Sequence, residues 1–582
     1  MSAARFFLEK LATMRHNNGR GGEQMPQKIF KALLFDTRGI QRYIYSGNKL
    51  RTNVGASYIV DRIFFDVLID DVLKEMFPEE KFPSADDAWN PTKDAAKPWE
   101  EMNSCCVAYV GGGNALLLFD SSEADRRTEV VKNFTRKLLV KRPGLKVGAA
   151  LGDLELDGDK LNQDHLDALY QKLKDNQNKI FPAVNVPYTG LTLSCEINGE
   201  AANFYGRLGS GEKNFYSQEI AVKSAAVDDA NKNLRDRFKK IFALKKFEPP
   251  IDFDFPSEVE KLGQKEGENY FAIIHVDGNN MGLKFRACTD LTERRKLSRE
   301  IRRKTEGAFA DLLKKIICMK VSGGFGDVLN LEENFLPIRP LIIGGDDVTF
   351  LCPANMAIFF TKTLVENLDA ETPENAPENL TEKFSRHMDA CAGIAILPTK
   401  YPFFRGYELA EQLCDAAKKS MRNFAREKNF SEEELVRGSS WLEFAILHGE
   451  QAPTLEQIRA TEYRGARGNL HFGPYRLCNQ NAPFKRDRLR NLENLLECTT
   501  KFPNSMSKNK IKELRGVLQR GLDDAEKFLQ QLDYQDRHLP KVEDWDNFQA
   551  KLWHAGATPF VDAIELTDFY NKEVAELWQN LT

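Results

Sequence analysis

The chain has 582 residues, 42% of them apolar and 29% charged, and a net charge of −4. That length exceeds what one hydrophobic core can organise and implies roughly three or four domains. The balanced charge excludes a globally basic nucleic-acid binder, and the absence of an apolar run of roughly 18 residues gives no reason to expect a membrane partner.

The first 28 residues carry Arg5, Lys10 and Arg15 among short apolar stretches, then Gly19, Gly21 and Gly22. They lack a sustained hydrophobic region and read as a flexible arm rather than a signal peptide. An apolar strand follows at 31–36 and ends in Asp36. Next come a helix carrying Ile40, Tyr43 and Ile44, and a helical run over about 56–77. Residues 107–119 read as two strands hinged on Gly111-Gly112-Gly113-Asn114, and a helical stretch then leads to a strand at 146–151. A connector follows, with a charged helix over about 228–246 and a break at Pro249 and Pro250.

The same order then recurs. A strand at 270–277 ends in Asp277, and a charged helical stretch covers about 289–320. Residues 340–352 read as strand, turn and strand around Gly344-Gly345-Asp346-Asp347. A helix over about 357–367 precedes a strand at 390–397, and an acidic, proline-containing loop spans 369–380. Each copy reads β-α-β-β-α-β, the ferredoxin-like order of palm domains. Beyond about residue 449, apolar residues at helical spacing dominate, as at 489–496 and 511–532. The expected fold is α+β: two tandem ferredoxin-like palms (nucleotidyl cyclase-like), a helical connector and a C-terminal helical domain. The boundaries are 1–28 for the arm, 29–195 for the first palm, 196–262 for the connector, 263–450 for the second palm and 451–582 for the helical domain. The ten cysteines form no C-x-x-C pair and read as reduced core residues, which fits a cytoplasmic location.

The second copy carries the chemistry. Asp277 ends its first strand, and Asp346 and Asp347 lie in the hairpin of the next two. In this strand order the three acids can converge at one sheet edge. Clustered carboxylates repel, and a hard divalent cation relieves the repulsion, with Mg2+ preferring carboxylate and phosphate oxygens. Two such ions can activate a hydroxyl and stabilise a leaving pyrophosphate. The other reading is a plain hairpin with solvated acids. Gly344 and Gly345 permit a tight turn and close approach of a nucleotide. Gly278, Asn279 and Asn280 follow the first acid and either present backbone N–H groups to phosphates, with an amide at a base or ribose, or form a simple strand-ending turn. Lys418 and Arg422 lie four apart on a helix over 410–423, either clamping a triphosphate or forming a solvated cationic face.

These segments together resemble the large palm-domain (Cmr-type) subunit of type III CRISPR–Cas effector complexes. The resemblance runs through 36–57, 111–114, 194–199, 275–282, 344–350, 393–418, 439–444 and 474–477. The second palm is also similar to diguanylate cyclase (GGDEF) domains over 410–423. The family's activity on binding target RNA would be conversion of ATP into a cyclic oligoadenylate second messenger by 3′–5′ nucleotidyl transfer. The resemblance implies Mg2+ (or Mn2+) on Asp277 and Asp347, with Asp346 on metal or the acceptor ribose, and a triphosphate on Lys418 and Arg422. Implied partners are a small subunit, backbone subunits, CRISPR RNA and target RNA. About 28 residues precede the first palm and no His-Asp pair occurs, so an HD nuclease is not expected. The family's four-cysteine zinc site is not apparent, and its common D-x-D reads Asp277-Gly278-Asn279 here. The first copy, with Gly111-Gly112-Gly113-Asn114, should bind no catalytic metal and would offer a wall or a second nucleotide pocket between the palms.

Three other outcomes stay open on sequence: a different nucleotide signal (a cyclic dinucleotide, or ATP joined to another adenosine-containing acceptor), a non-catalytic scaffold, and a template-copying polymerase. Basic stretches at Arg294–Lys304, Lys485–Arg490 and Lys508–Arg515 could meet RNA phosphates, but each singly reads as a solvated helix face.

Overall fold

The computed structural model describes residues 27–579 apart from 91, 92, 95, 179–189, 210, 327, 333, 371–387, 428, 430–438, 450–453, 467 and 478–488. The arm before residue 27, the acidic loop beyond residue 370 and most of the basic stretch at 485–490 therefore lie outside the described residues.

The first ferredoxin-like unit opens with β1 (Gln27–Arg38), followed by α1 (Ile40–Tyr45) and α2 (Leu50–Ile63), which runs on as a wider helical turn over Phe64–Leu73. Then come β2 (Cys105–Gly111), β3 (Asn114–Phe119), α3 (Arg126–Lys141), β4 (Lys146–Asp157) and α4 (Gln163–Gln177). The sheet order is β2-β3-β1-β4, with a two-residue strand at the far edge. All these pairs are antiparallel, as the ferredoxin-like order requires. Strand β1 is apolar on both faces because both are covered. Leu33 and Phe35 enter one core, and Phe30, Ala32 and Leu34 enter another on the opposite face.

A small hairpin follows, β5 (Phe204–Arg207) and β6 (Lys213–Tyr216), and then the long connector helix α5 (Val227–Leu244).

The second unit repeats the plan with β7 (Tyr270–Gly278), α6 (Met281–Ala287), α7 (Leu291–Val321), β8 (Arg339–Gly344), β9 (Asp347–Pro353), α8 (Ala357–Asp369), β10 (Ala390–Pro398) and α9 (Phe403–Glu427). Its sheet order is β10-β7-β9-β8, the same permutation as the first. Two strands extend it beyond β10: β11 (Trp441–Ile446), parallel to β10, and β12 (Tyr475–Arg476). The added edge strands were not read from the sequence, because β11 is a short apolar run outside the repeat.

The C-terminal region is helical, with α10 (Leu492–Ser505), α11 (Lys508–Arg520), α12 (Leu522–Tyr534) and α13 (Phe560–Leu566) around buried Trp545, Phe548 and Phe560. It is tied to the second sheet through His471, whose two ring nitrogens meet Glu443 of β11 at 2.9 Å and Asp562 of α13 at 2.7 Å. Among the described residues, no helix is long and apolar enough to cross a membrane. Eight of the nine described cysteines are buried, all nine are free, and Cys318 is exposed.

The two units pack against each other. Tyr45 of α1 stacks on Tyr407 of α9 with centroids 4.4 Å apart. Gln41 donates to the Tyr407 hydroxyl at 2.9 Å and to Glu411 at 3.1 Å. The backbone N–H of Phe403 donates to the Asn48 side chain at 2.8 Å.

Candidate active site

Asp277 and Asp347 are direct Cα partners at the end of the β7–β9 ladder. Asp347 and Gly344 close the β8–β9 hairpin, leaving Gly345 and Asp346 as its two turn residues. Gly345 has φ +62°, and Asp346 keeps a negative φ, so the turn needs a glycine only at its first central position. In the first unit, Gly111 pairs with Asn114, and both central residues, Gly112 and Gly113, have positive φ. Glycine therefore stands at 113, where the second unit carries Asp346. Asp36 faces Asn114 across that ladder, as Asp277 faces Asp347. It accepts a hydrogen bond from Gln177, and burial raises its pKa.

The acidic hairpin folds down onto β7. The Gly278 N–H donates to the Asp346 carbonyl at 3.2 Å. A Cβ at Gly278 would lie 2.8 Å from that of Asp346, so this close approach requires glycine. Burial, then the charge of Asp277, raises the Asp346 pKa to about 7 and that of Asp347 to about 8. Asp347 Oδ1 lies 3.3 Å from His275 Nδ1, without hydrogen-bond geometry. The His275 ring is turned toward Thr349 Oγ1, at 3.2 Å. Burial pulls its pKa down, which keeps the imidazole neutral beside the acids.

Lys418, on α9, places its ammonium on the Asp277 carboxylate and 3.4 Å from the Gly278 carbonyl. Burial works against its charge, but Asp277 outweighs this and raises its pKa. Arg422 lies one turn on and is exposed, and of the two Lys418 is the one that stands on the acids. Asn279 is buried, and its amide donates to the Ser439 carbonyl at 3.0 Å, which turns it away from any base or ribose in the open site. Asn280 sits at φ +58° and starts α6.

Lys284 escaped the sequence reading. It lies on α6, is 2% exposed, and has Asp389 and Asp346 as its charged neighbours. Burial lowers its pKa. Its position four residues after Asn280 becomes informative only once α6 is known to fold against the hairpin.

Among the described residues, no three ligating side chains are gathered closely enough to hold an ion in this arrangement, and Lys418 stands on Asp277 instead. The donor set nevertheless suits a hard cation. It consists of carboxylate oxygens, Asp347 Oδ1 is buried without a hydrogen-bond donor, and two of the three acids are pushed toward protonation by burial and then by the charge of Asp277.

The acids open onto a cavity of about 430 Å3 between the two units. Its walls include Ser57 of α2, Gly112 of the first hairpin, Arg299 and Arg302 of α7, and Gly345 and Asp346. The volume suits a small organic ligand. The basic stretch at 294–304 is thus not a solvated face. Arg295 is buried against the Trp99 ring, Arg303 pairs with Asp94 at 2.7 Å, and Arg302 donates to the buried Glu306 at 2.7 Å.

Residues 270–426 match the family model of the second palm domain of Cas10/Cmr2. The second unit is similar to the second palm domain of Cas10/Cmr2. The match spans β7 to α9 and so contains the acidic hairpin, Asp277 and Lys418 of this palm. The fold of the whole chain is similar to that of a Csm1–Csm4 cassette crystallised with pppApApA, at 12% identity and a TM-score of 0.52, covering 96% of this chain and 72% of that one. Two further Csm1–Csm4 cassettes, with pppApA and with cA4, align at 12% identity with TM-scores of 0.46 and 0.45, each covering 96% of this chain and respectively 71% and 72% of theirs. No curated protein matches the chain.

Proposed function

We propose that this chain is the large subunit of a type III CRISPR RNA-guided complex and joins adenylates from ATP into a cyclic oligoadenylate or related signal. The observation that carries the reading is the opposition of Asp277 and Asp347 across one ladder, with Asp346 in the adjoining turn, at the mouth of a cavity shared with the acid-poor first palm. One live hairpin facing one hairpin of glycines suits a reaction that needs a donor and an acceptor nucleotide in unlike places.

The 3′-hydroxyl of the acceptor attacks the α-phosphorus of the donor, and the bond to pyrophosphate breaks. Mg2+ held by Asp277, Asp346 and Asp347 would neutralise phosphate charge and lower the pKa of the attacking hydroxyl. Lys418 would hold the donor triphosphate, and exposed Arg422 would add a second, outer contact. Gly344 and Gly345 leave the hairpin tip open to the nucleotide: a Cβ at either would meet no atom within 4 Å. The Csm1 of the similar structures is paired with Csm4, and we extend such a neighbour, together with a small subunit, CRISPR RNA, target RNA and a cytoplasmic setting, to this chain.

The test is incubation of the reconstituted complex with ATP, Mg2+ and target RNA, with products identified by mass spectrometry. Cyclic adenylates support the reading. A different adenylyl conjugate would retain the transfer chemistry and revise the acceptor. Turnover unchanged by combined Asp346→Ala and Asp347→Ala would remove the site assignment.

A further inference from the structure

The hairpin of β5 and β6 lies outside both palm sheets, and its two faces differ in kind. In its register, Phe204 pairs with Tyr216, Tyr205 with Phe215, Gly206 with Asn214 and Arg207 with Lys213. Alternation along the strands therefore puts Phe204 and Tyr216 on one face and Tyr205, Phe215, Arg207 and Lys213 on the other. The first face is anchored: Phe204 and Tyr216 pack with Cys195, Ile197, Leu208 and Ile220. The Asn203 N–H also donates to the Tyr216 carbonyl at 3.0 Å, fixing the base of the hairpin.

The second face points to solvent. Tyr205 is 59% exposed and Phe215 45%, with ring centroids 4.7 Å apart. Arg207 and Lys213 sit beside them, one step along each strand and both exposed. Among the described residues, neither has a carboxylate partner. Glu212, in the turn, is the one acid next to them in sequence. Among the described residues, these two large rings face water, and two cations without a carboxylate partner flank them.

We propose that this face binds single-stranded RNA, with unpaired bases stacking on Tyr205 and Phe215 and backbone phosphates meeting Arg207 and Lys213. Aromatic rings accept any exposed base face, and adjacent cations follow the phosphate track, which is the chemistry of sequence-tolerant single-strand platforms. A protein partner of mainly apolar surface fits less well, because the cations would be buried unpaired. The inference does not depend on nucleotidyl transfer, so binding at the hairpin and turnover at the acidic site can fail separately.

The test uses the full chain and a fluorescein-labelled single-stranded RNA 20-mer, read by anisotropy over a salt series. Combined Tyr205→Ala and Phe215→Ala should weaken binding by about tenfold or more, whereas Tyr205→Trp should retain it. Combined Arg207→Ala and Lys213→Ala should lower the log–log salt slope by about 1.4, two phosphate contacts at ~0.7 each. An RNA carrying 4-thiouridine should cross-link to the peptides that contain Tyr205 or Phe215. Circular dichroism and melting should be unchanged for all variants, since the altered side chains are on the solvent face. Unchanged affinity in both double variants would overturn the proposal. So would equal binding of a fully paired duplex, or loss of a co-purifying protein subunit with RNA affinity intact.

Discussion

Asp277 and Asp347 face each other as partners in the antiparallel ladder of the second palm, and Lys418 holds the first of them. Three acids sharing one small recess cannot all carry charge without a cation. Lys418 supplies part of that charge. A metal bound as proposed would therefore compete with the ammonium for Asp277.

That competition predicts opposite effects of Lys418→Ala on two ligands. Mg2+ alone should bind more tightly, because Asp277 is released. ATP should bind at least tenfold more weakly, because the triphosphate loses a cation. Calorimetric titration of each ligand separates the two, and a parallel loss of both would refute the competition.

Asp347→Asn removes a like charge opposite Asp277 while keeping the shape of the side chain. Without metal, the melting temperature should stay the same or rise. The added stability that saturating Mg2+ gives the parent chain, about 2.7 kcal/mol at a hundredfold excess over Kd, should largely vanish. Nucleotide turnover should fall by at least about 100-fold, the scale of a lost electrostatic contact in a transition state.

Gly278→Ala tests position rather than chemistry. The new methyl would meet Asp346 Cβ at 2.8 Å and Met281 Cε at 2.7 Å. The methionine can swing aside, but the aspartate belongs to a closed hairpin. Destabilisation of about 1–3 kcal/mol is expected, with turnover reduced although every acid remains. Denaturant unfolding measures the first effect, and ATP consumption the second.

His471 gives the chain a pH signature away from the acids. Burial and Arg459 lower its pKa, but Asp562 and Glu443 outweigh them and leave it raised above 6.5. Burial opposes the charges of Glu443 and Asp562 as well, yet His471 and its hydrogen bonds leave both pKa values lowered, from 4.5 and 3.8. The imidazolium contribution is complete below about pH 6.5 and is lost as pH rises through the raised value. The carboxylate contributions are present above about pH 4.5 and are lost as pH falls through the lowered values. Stability attributable to this link should therefore peak between roughly pH 4.5 and 6.5. His471→Gln should lower the melting temperature most in that window, and a flat difference across pH would contradict the assignment.

The tandem β-α-β-β-α-β order was legible because strand and helix periodicities repeat, and strands such as 31–36 and 270–277 are apolar on both faces. The acidic hairpin was legible because its glycines and acids are consecutive. Lys418 was legible as one of a helical pair. By contrast, β11 and β12 join the second sheet from outside the repeat, and their pairing depends on chain segments far apart. The inward turn of the arginines on α7 was invisible for the same kind of reason: charge on a helix reads as solvated until something folds over it.

The sequence by itself determined the two repeated units, the acids of one and the glycines of the other, since these depend on residues close together along the chain. Only the tertiary structure decided that Asp277 stands opposite Asp347, that Lys418 rather than Arg422 reaches them, that Asn279 turns inward to Ser439, and that both hairpins share a cavity. Each of these depends on contacts between residues tens to hundreds of positions apart. Burial, charge proximity and register at such separations are set by packing, which no local pattern encodes.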